Sequence, residues 1–106
     1  GVVGARKFLP YKNVSYAEAY KFCEIAFEGR CKKLKSSVED EWIRNLQALR
    51  MLVDAYGAEL KPTNPWYNSY VWWASQQGVL TKDFTNKKWY TRGEMAELTW
   101  GMMQVK

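Results

Sequence analysis

The chain contains no histidine. That absence removes the side chain that titrates nearest neutral pH and the commonest protein ligand for transition metals. Two cysteines and three prolines occur in 106 residues, so neither a dense disulfide framework nor a proline-rich linker is present. No run of 18 or more apolar residues occurs, which leaves no candidate for a membrane-spanning helix. No signal-peptide pattern is visible. Paired carboxylates, an activated nucleophile and a glycine-rich phosphate loop are also missing, and no cofactor or metal set emerges. These gaps disfavour an enzyme.

What remains is rich in aromatics, which reach 16% with six Trp and seven Tyr. Hydrophobic residues make up 47%, enough for a single domain over 1–106 with one modest core. The net charge is +5. Residues 1–60 hold ten Lys/Arg against eight Asp/Glu, and residues 61–106 hold six against three, so acids interrupt the basic charge everywhere. Nucleic acid is disfavoured as a partner, because it asks for Lys and Arg gathered along one face. The densest basic cluster is Arg30, Lys32, Lys33 and Lys35. It reads either as a solvated loop or as a contact for an acidic polymer.

Glycine and proline punctuation separates four expected helices, an all-α pattern. The first runs over 15–28, opened by a Ser15/Glu18 capping box and stopped at Gly29. Its apolar stripe is Tyr16, Ala19, Tyr20, Cys23 and Phe27. The second starts at Ser36 or Ser37 and ends before Gly57, with Glu39, Asp40 and Glu41 in the first turn, where the macrodipole favours them. Trp42, Leu46, Leu49, Val53 and Tyr56 form its stripe. The third takes Asn64 as N-cap and Pro65 as first helical residue, and runs to Gln77 before Gly78. Trp66, Tyr67, Tyr70, Trp73 and Ala74 make a broad core stripe there. Trp72 points the opposite way, among polar residues, and marks a ligand or protein contact or a second packing face. The fourth begins after Thr91, whose capping box with Glu94 predicts a firm start, and runs toward Gln104. Met95, Met102 and Met103 read as core filling.

The halves look like two copies of a helix-loop-helix unit forming a small helical bundle, one over about 8–58 and the other over about 59–106. Aligning Gly29 with Gly78 sets Phe22, Ile25 and Ala26 on Val71, Ala74 and Ser75. After the loops, Asn45-x-Gln47 falls on Arg92-x-Glu94. Cys23 sits late in the first helix and Cys31 just past its glycine stop. The turn can bring them within disulfide reach, or they are two small buried hydrophobes of a reducing compartment.

Residues 64–104 resemble an S-layer homology repeat: an aromatic-led helix ending in Gly, a loop, then T-R-A-E and an apolar helix. The matching residues are Trp66, Gly78, Val79, Phe84 and Thr91-Arg92-Gly93-Glu94, with Met95, Ala96 and Leu98. The first half matches less. Its residues 8–14 are similar to the F-x-D-V lead-in, with Asn13 in the Asp position, and Asn45 and Gln47 stand where Arg and Glu are expected. The resemblance implies a non-catalytic module that anchors a surface assembly to an acidic polysaccharide of the bacterial cell wall. It implies an extracellular or cell-surface location, and with it a Cys23–Cys31 disulfide. The family uses three repeats around a pseudo-threefold axis, so two copies imply a third outside this chain or a neighbouring subunit in its place.

By the same resemblance, Arg92 is the residue that meets an anionic sugar substituent, and its planar fork suits a carboxylate. The helix start adds free amides and partial positive charge. Otherwise Arg92 is a surface residue, or pairs with Glu94 or Glu97. Glu94 is the cap partner of Thr91. Gly93, in place of the family's Ala, lowers helix propensity or gives room for close backbone approach. Lys87, Lys88 and Trp89 offer charge and an aromatic face to the same saccharide, unless Trp89 simply packs inward. Trp72 is a further candidate contact. The rival reading keeps the fold without the glycan: a structural subunit of a surface layer, filament or larger assembly, joined to other protein subunits through its aromatic faces.

Overall fold

A computed structural model of the chain describes residues 9–80, 84 and 89–105. Among them the fold is all-α, with four helices and no strand. The helices are α1 (Tyr16–Ala26), α2 (Asn45–Tyr56), α3 (Tyr67–Gln76) and α4 (Arg92–Met103), with a 3-10 turn at Ser36–Val38. None is long and apolar enough to cross a membrane. The main contacts run between the halves: α1 lies on α4 and also touches α2, while α2 packs on both α3 and α4. Buried Ala19 and Cys23 from α1 meet Ala48, Leu49, Leu52 and Val53 from α2 and Met95, Leu98 and Met102 from α4. Each fully buried aliphatic side chain contributes about 1.5–3 kcal/mol relative to an exposed one.

Both expected capping boxes form. Ser15 Oγ accepts from the Glu18 amide at 3.2 Å, and Glu18 Oε1 accepts from the Ser15 amide at 3.2 Å. Thr91 and Glu94 repeat the exchange at 3.2 and 3.0 Å. Gly78 ends α3 with φ +74°, and its neighbour's amide, Val79 N–H, donates back to the Ala74 carbonyl at 3.1 Å. That is the Schellman closure a glycine stop allows.

Two helix starts differ from expectation. α2 opens at Asn45 behind an uncapped Arg44, not at Ser36 or Ser37. The acidic segment 39–41 is therefore no helix turn. Its Glu39 and Glu41 carbonyls accept from the Ala17 and Tyr16 amides at 3.0 and 2.9 Å. Satisfying the orphan donors of α1 outweighs the pull of a helix dipole on these acids. Trp42 consequently lies outside the helix, and 49% of it is exposed. In the third element Asn64 is not the cap. The Asn64–Pro65 peptide is cis, Trp66 occupies the cap position, and the Ser69 amide donates to Thr63 Oγ1 at 3.2 Å. The aromatic stripe of α3 is only half-buried, with Ala74 alone fully inside. Met95 and Met102 are core, but Met103 is exposed.

The architecture centres on three backbone segments. Val14 N–H donates to the Tyr90 carbonyl at 2.9 Å, Tyr90 N–H to the Ile43 carbonyl at 3.1 Å, and Ile43 N–H to the Val14 carbonyl at 2.8 Å. The three bonds close a ring. Each member directly precedes an N-cap: Val14 before Ser15, Ile43 before Arg44 and Tyr90 before Thr91. All three side chains are buried beneath it. Three helices thus leave one hydrogen-bonded hub with quasi-threefold character. A ring of this kind needs one donor and one acceptor per segment, which is why the contacts stay isolated bridges and never lengthen into a sheet.

Candidate functional site

The helix starts dock on the hub by one rule. The first two amides of α1 donate to Glu41 and Glu39. Those of α4, from Arg92 and Gly93, donate to the Lys12 and Pro10 carbonyls, both at 2.8 Å. The positions that would serve α2 at the same spacing, 86 and 88, lie outside the described residues. The four leading amides of α4, from Thr91 through Glu94, are therefore bonded within the protein, and the amide anion site expected at this helix start is filled by the Lys12 and Pro10 carbonyls and by the Thr91 and Glu94 side chains. Gly93 supports that docking. A Cβ on it would stand 3.1 Å from the Pro10 carbonyl oxygen and 3.2 Å from Pro10 Cβ. Close backbone approach is what this glycine provides.

Arg92 donates to Glu18 on α1, not to Glu94 or Glu97 on its own helix. About a quarter of each side chain remains accessible, 26% and 29%. Burial alone would push the Glu18 carboxyl up. The hydrogen bond from the Ser15 amide and the nearby Arg92 guanidinium outweigh it and hold the pKa below its ordinary value. Glu18 thus caps α1 and ties it to α4 at once.

Trp89 precedes the hub residue Tyr90, and 37% of it is exposed. The Arg44 guanidinium lies over its ring, 4.6 Å from the centroid. Such stacking contributes about 0.5–1 kcal/mol at an exposed site. Both residues line a groove of about 360 Å³ with Tyr16, Asp40, Glu41 and Trp42. Burial and then the Glu41 carboxylate raise the Tyr16 phenol above its usual range, with Arg44 opposing, so it stays a neutral donor. The groove therefore presents two indoles, a phenol, a guanidinium and two carboxylates. Aromatic faces suit the C–H surface of a sugar, the two carboxylates accept from its hydroxyls, and the Arg44 guanidinium is the group that suits an anionic substituent.

The remaining expected residues scatter. Lys87 and Lys88 lie outside the described residues. Trp72 is 64% exposed and lines a different groove, of about 530 Å³, with Trp73, Glu59, Leu60, Lys61, Thr63, Asn68 and Ser69. Asn45, expected as a lost ligand arginine, is 3% exposed, and its Nδ2 donates to the Phe84 carbonyl. It is a structural side chain. The sequence reading missed Trp42, Arg44 and Tyr16. A signal was available, because Trp42 precedes Trp89 by the 47 residues that separate Asn45 from Arg92 (42 to 89, 45 to 92).

Cys23 and Cys31 form a disulfide, with Cα atoms 6.3 Å apart. No family model matches the chain. No curated protein and no solved structure matches it either.

Proposed function

We propose that this chain is a non-catalytic saccharide-binding module of a bacterial cell envelope, similar in kind to S-layer homology domains, and that it attaches a surface assembly to an acidic wall polysaccharide. The observation that carries the reading is the groove at the hub, where Trp42, Trp89, Tyr16 and Arg44 converge beside Asp40 and Glu41. Sugar rings stack on the indoles, Arg44 meets the acidic substituent, and the carboxylates accept from hydroxyls. The closed hub supports the family likeness in a way the two-copy alignment did not. Three helix starts surround one ring, a quasi-threefold arrangement within this chain. The disulfide is compatible with an extracellular location.

The test is calorimetric titration with purified acidic wall polysaccharide. Trp89→Ala and Arg44→Gln should each weaken binding while Trp72→Ala leaves it unchanged. Undiminished affinity in both groove variants would remove the groove from the role.

One set of observations favours the structural-subunit alternative. Trp100 and Met103 are exposed three residues apart on α4, and Trp72 is exposed on α3. Large apolar side chains in those positions suit packing against other protein subunits. A concentration-dependent solution mass that falls to the monomer in Trp100→Glu would support that reading.

A further inference from the structure

We propose a second, anion-binding site: the groove between α1 and the disulfide-fastened loop that follows it binds the phosphate group of a phosphorylated polyol or sugar. This site is separate from the Trp42/Trp89 groove and does not rest on that reading. It is an open groove of about 510 Å³, lined by Ala17, Tyr20 and Lys21 from α1 and by Lys33, Leu34 and Glu39 from the segment beyond. That volume falls within the roughly 300–1,000 Å³ typical of small-ligand sites.

Three features single it out. First, the two lysines reach the groove from different elements, and among the described residues no ion pair engages either. Two ammonium groups outnumber the single carboxylate of the groove, Glu39, and favour an anion there. Second, the start of the loop is fastened twice, at the adjacent residues Arg30 and Cys31. The disulfide holds Cys31 to the buried Cys23 of α1, and Arg30 Nη2 donates to the Tyr56 carbonyl at the end of α2 at 2.9 Å. The backbone of Lys33, two residues past Cys31, is thereby tethered near α1, which lowers the backbone part of the ordering cost of binding. Arg30 is engaged in that fastening, and Lys33 is the residue of the basic cluster that lines the groove. Third, the cations are ammonium groups. Two such point charges match a phosphate monoester, which carries about −1.5 to −2 at neutral pH on three acceptor oxygens, better than a carboxylate with a single charge. Tyr20 and Glu39 supply polar atoms for hydroxyls on the rest of the ligand, and Leu34 supplies an apolar wall.

The experiment is an amide-resolved NMR titration of the oxidised chain with three probes: poly(glycerol phosphate), glucose 6-phosphate and hyaluronate, whose charges are carboxylates alone. Shift changes should concentrate on residues 17–21 and 33–39 for the phosphate probes. Tighter binding of poly(glycerol phosphate) assigns a polymer, and tighter binding of glucose 6-phosphate assigns a small phosphorylated sugar. The Lys21→Gln/Lys33→Gln pair should weaken the better probe about ten-fold or more, and Lys61→Gln should leave it unchanged. Reducing the disulfide should also weaken it, with helical circular dichroism checked alongside. If reduction melts the chain, the lysine variants in the oxidised protein decide. Equal binding of hyaluronate, shift changes spread over all surface lysines, or full affinity in the double variant would each overturn the proposal.

Discussion

Arg92 on α4 and Glu18 on α1 are bonded side chain to side chain, 74 residues apart in the chain. Each belongs to the first turn of its helix, and each turn is already docked on the hub. The pair therefore fastens two of the three helix starts to one another. Its partial burial places it between a surface ion pair of about 0.2–1 kcal/mol and a charged hydrogen bond of about 1.5–3 kcal/mol.

Arg92→Ala and Glu18→Gln should each destabilise the fold by roughly 1–2 kcal/mol, with a coupling near 1 kcal/mol in the double variant. Urea denaturation of the four proteins measures it. Purely additive losses would mean that the pair does not fasten the helices.

The pH dependence has two limbs. The Glu18 carboxyl sits below its ordinary pKa of 4.5, so its stabilisation is present above that value and is lost as pH falls from there through the lower pKa of the folded state. The Tyr90 phenol sits far above its ordinary 10.0, first through burial and then through Glu94 and Glu97. Its native state holds the proton after the unfolded chain has released it, so stability falls above pH 10. Glu18→Gln should shrink the acid limb and Tyr90→Phe the alkaline one, read from melting temperatures between pH 3 and pH 11.

Two glycines of α4 should respond in opposite directions to alanine. At Gly101 a new Cβ meets Val79 at 3.4 Å, an ordinary contact, so the helix gains about 0.5–1 kcal/mol. At Gly93 the Cβ presses on the Pro10 backbone, which is held by the Gly93 amide itself. Displacing it should cancel the propensity gain and leave Gly93→Ala less stable by about 1 kcal/mol. Melting temperatures moving the same way in both variants would contradict the docking described for Pro10.

Asn45→Ala should cost about 1–3 kcal/mol, because the Phe84 carbonyl loses its donor in a buried place. Asn45→Asp should cost more, since a carboxylate faces that oxygen without a proton to share. A neutral result for the aspartate, by denaturation at pH 7, would mean the side chain has access to solvent.

Much of the local structure was legible. Ser15 with Glu18 and Thr91 with Glu94 are short-range exchanges that need no tertiary partner, and both helices start where those boxes place them. Gly78 stopped α3 for an equally local reason. The failures sit where a distant segment competed. Ser36 and Ser37 looked like caps, but the carbonyls of 39–41 are claimed by the amides of α1. Trp42 fitted a helical stripe, yet it belongs to an extended lead-in and faces the groove. Of the expected ligand residues, Trp89 reached that groove, while Trp72 lines another.

By itself the sequence determined the all-α class and both capping boxes, since each depends on residues a few positions apart, while the pairing of Cys23 with Cys31 stayed one of two alternatives until the structure joined them. Tertiary structure alone decided the hub of Val14, Ile43 and Tyr90, the Arg92–Glu18 tie and the convergence of Trp42 with Arg44 and Trp89. Those contacts pair donors and acceptors far apart along the chain. A backbone amide carries no mark of its partner, so that choice is made when the core closes around it.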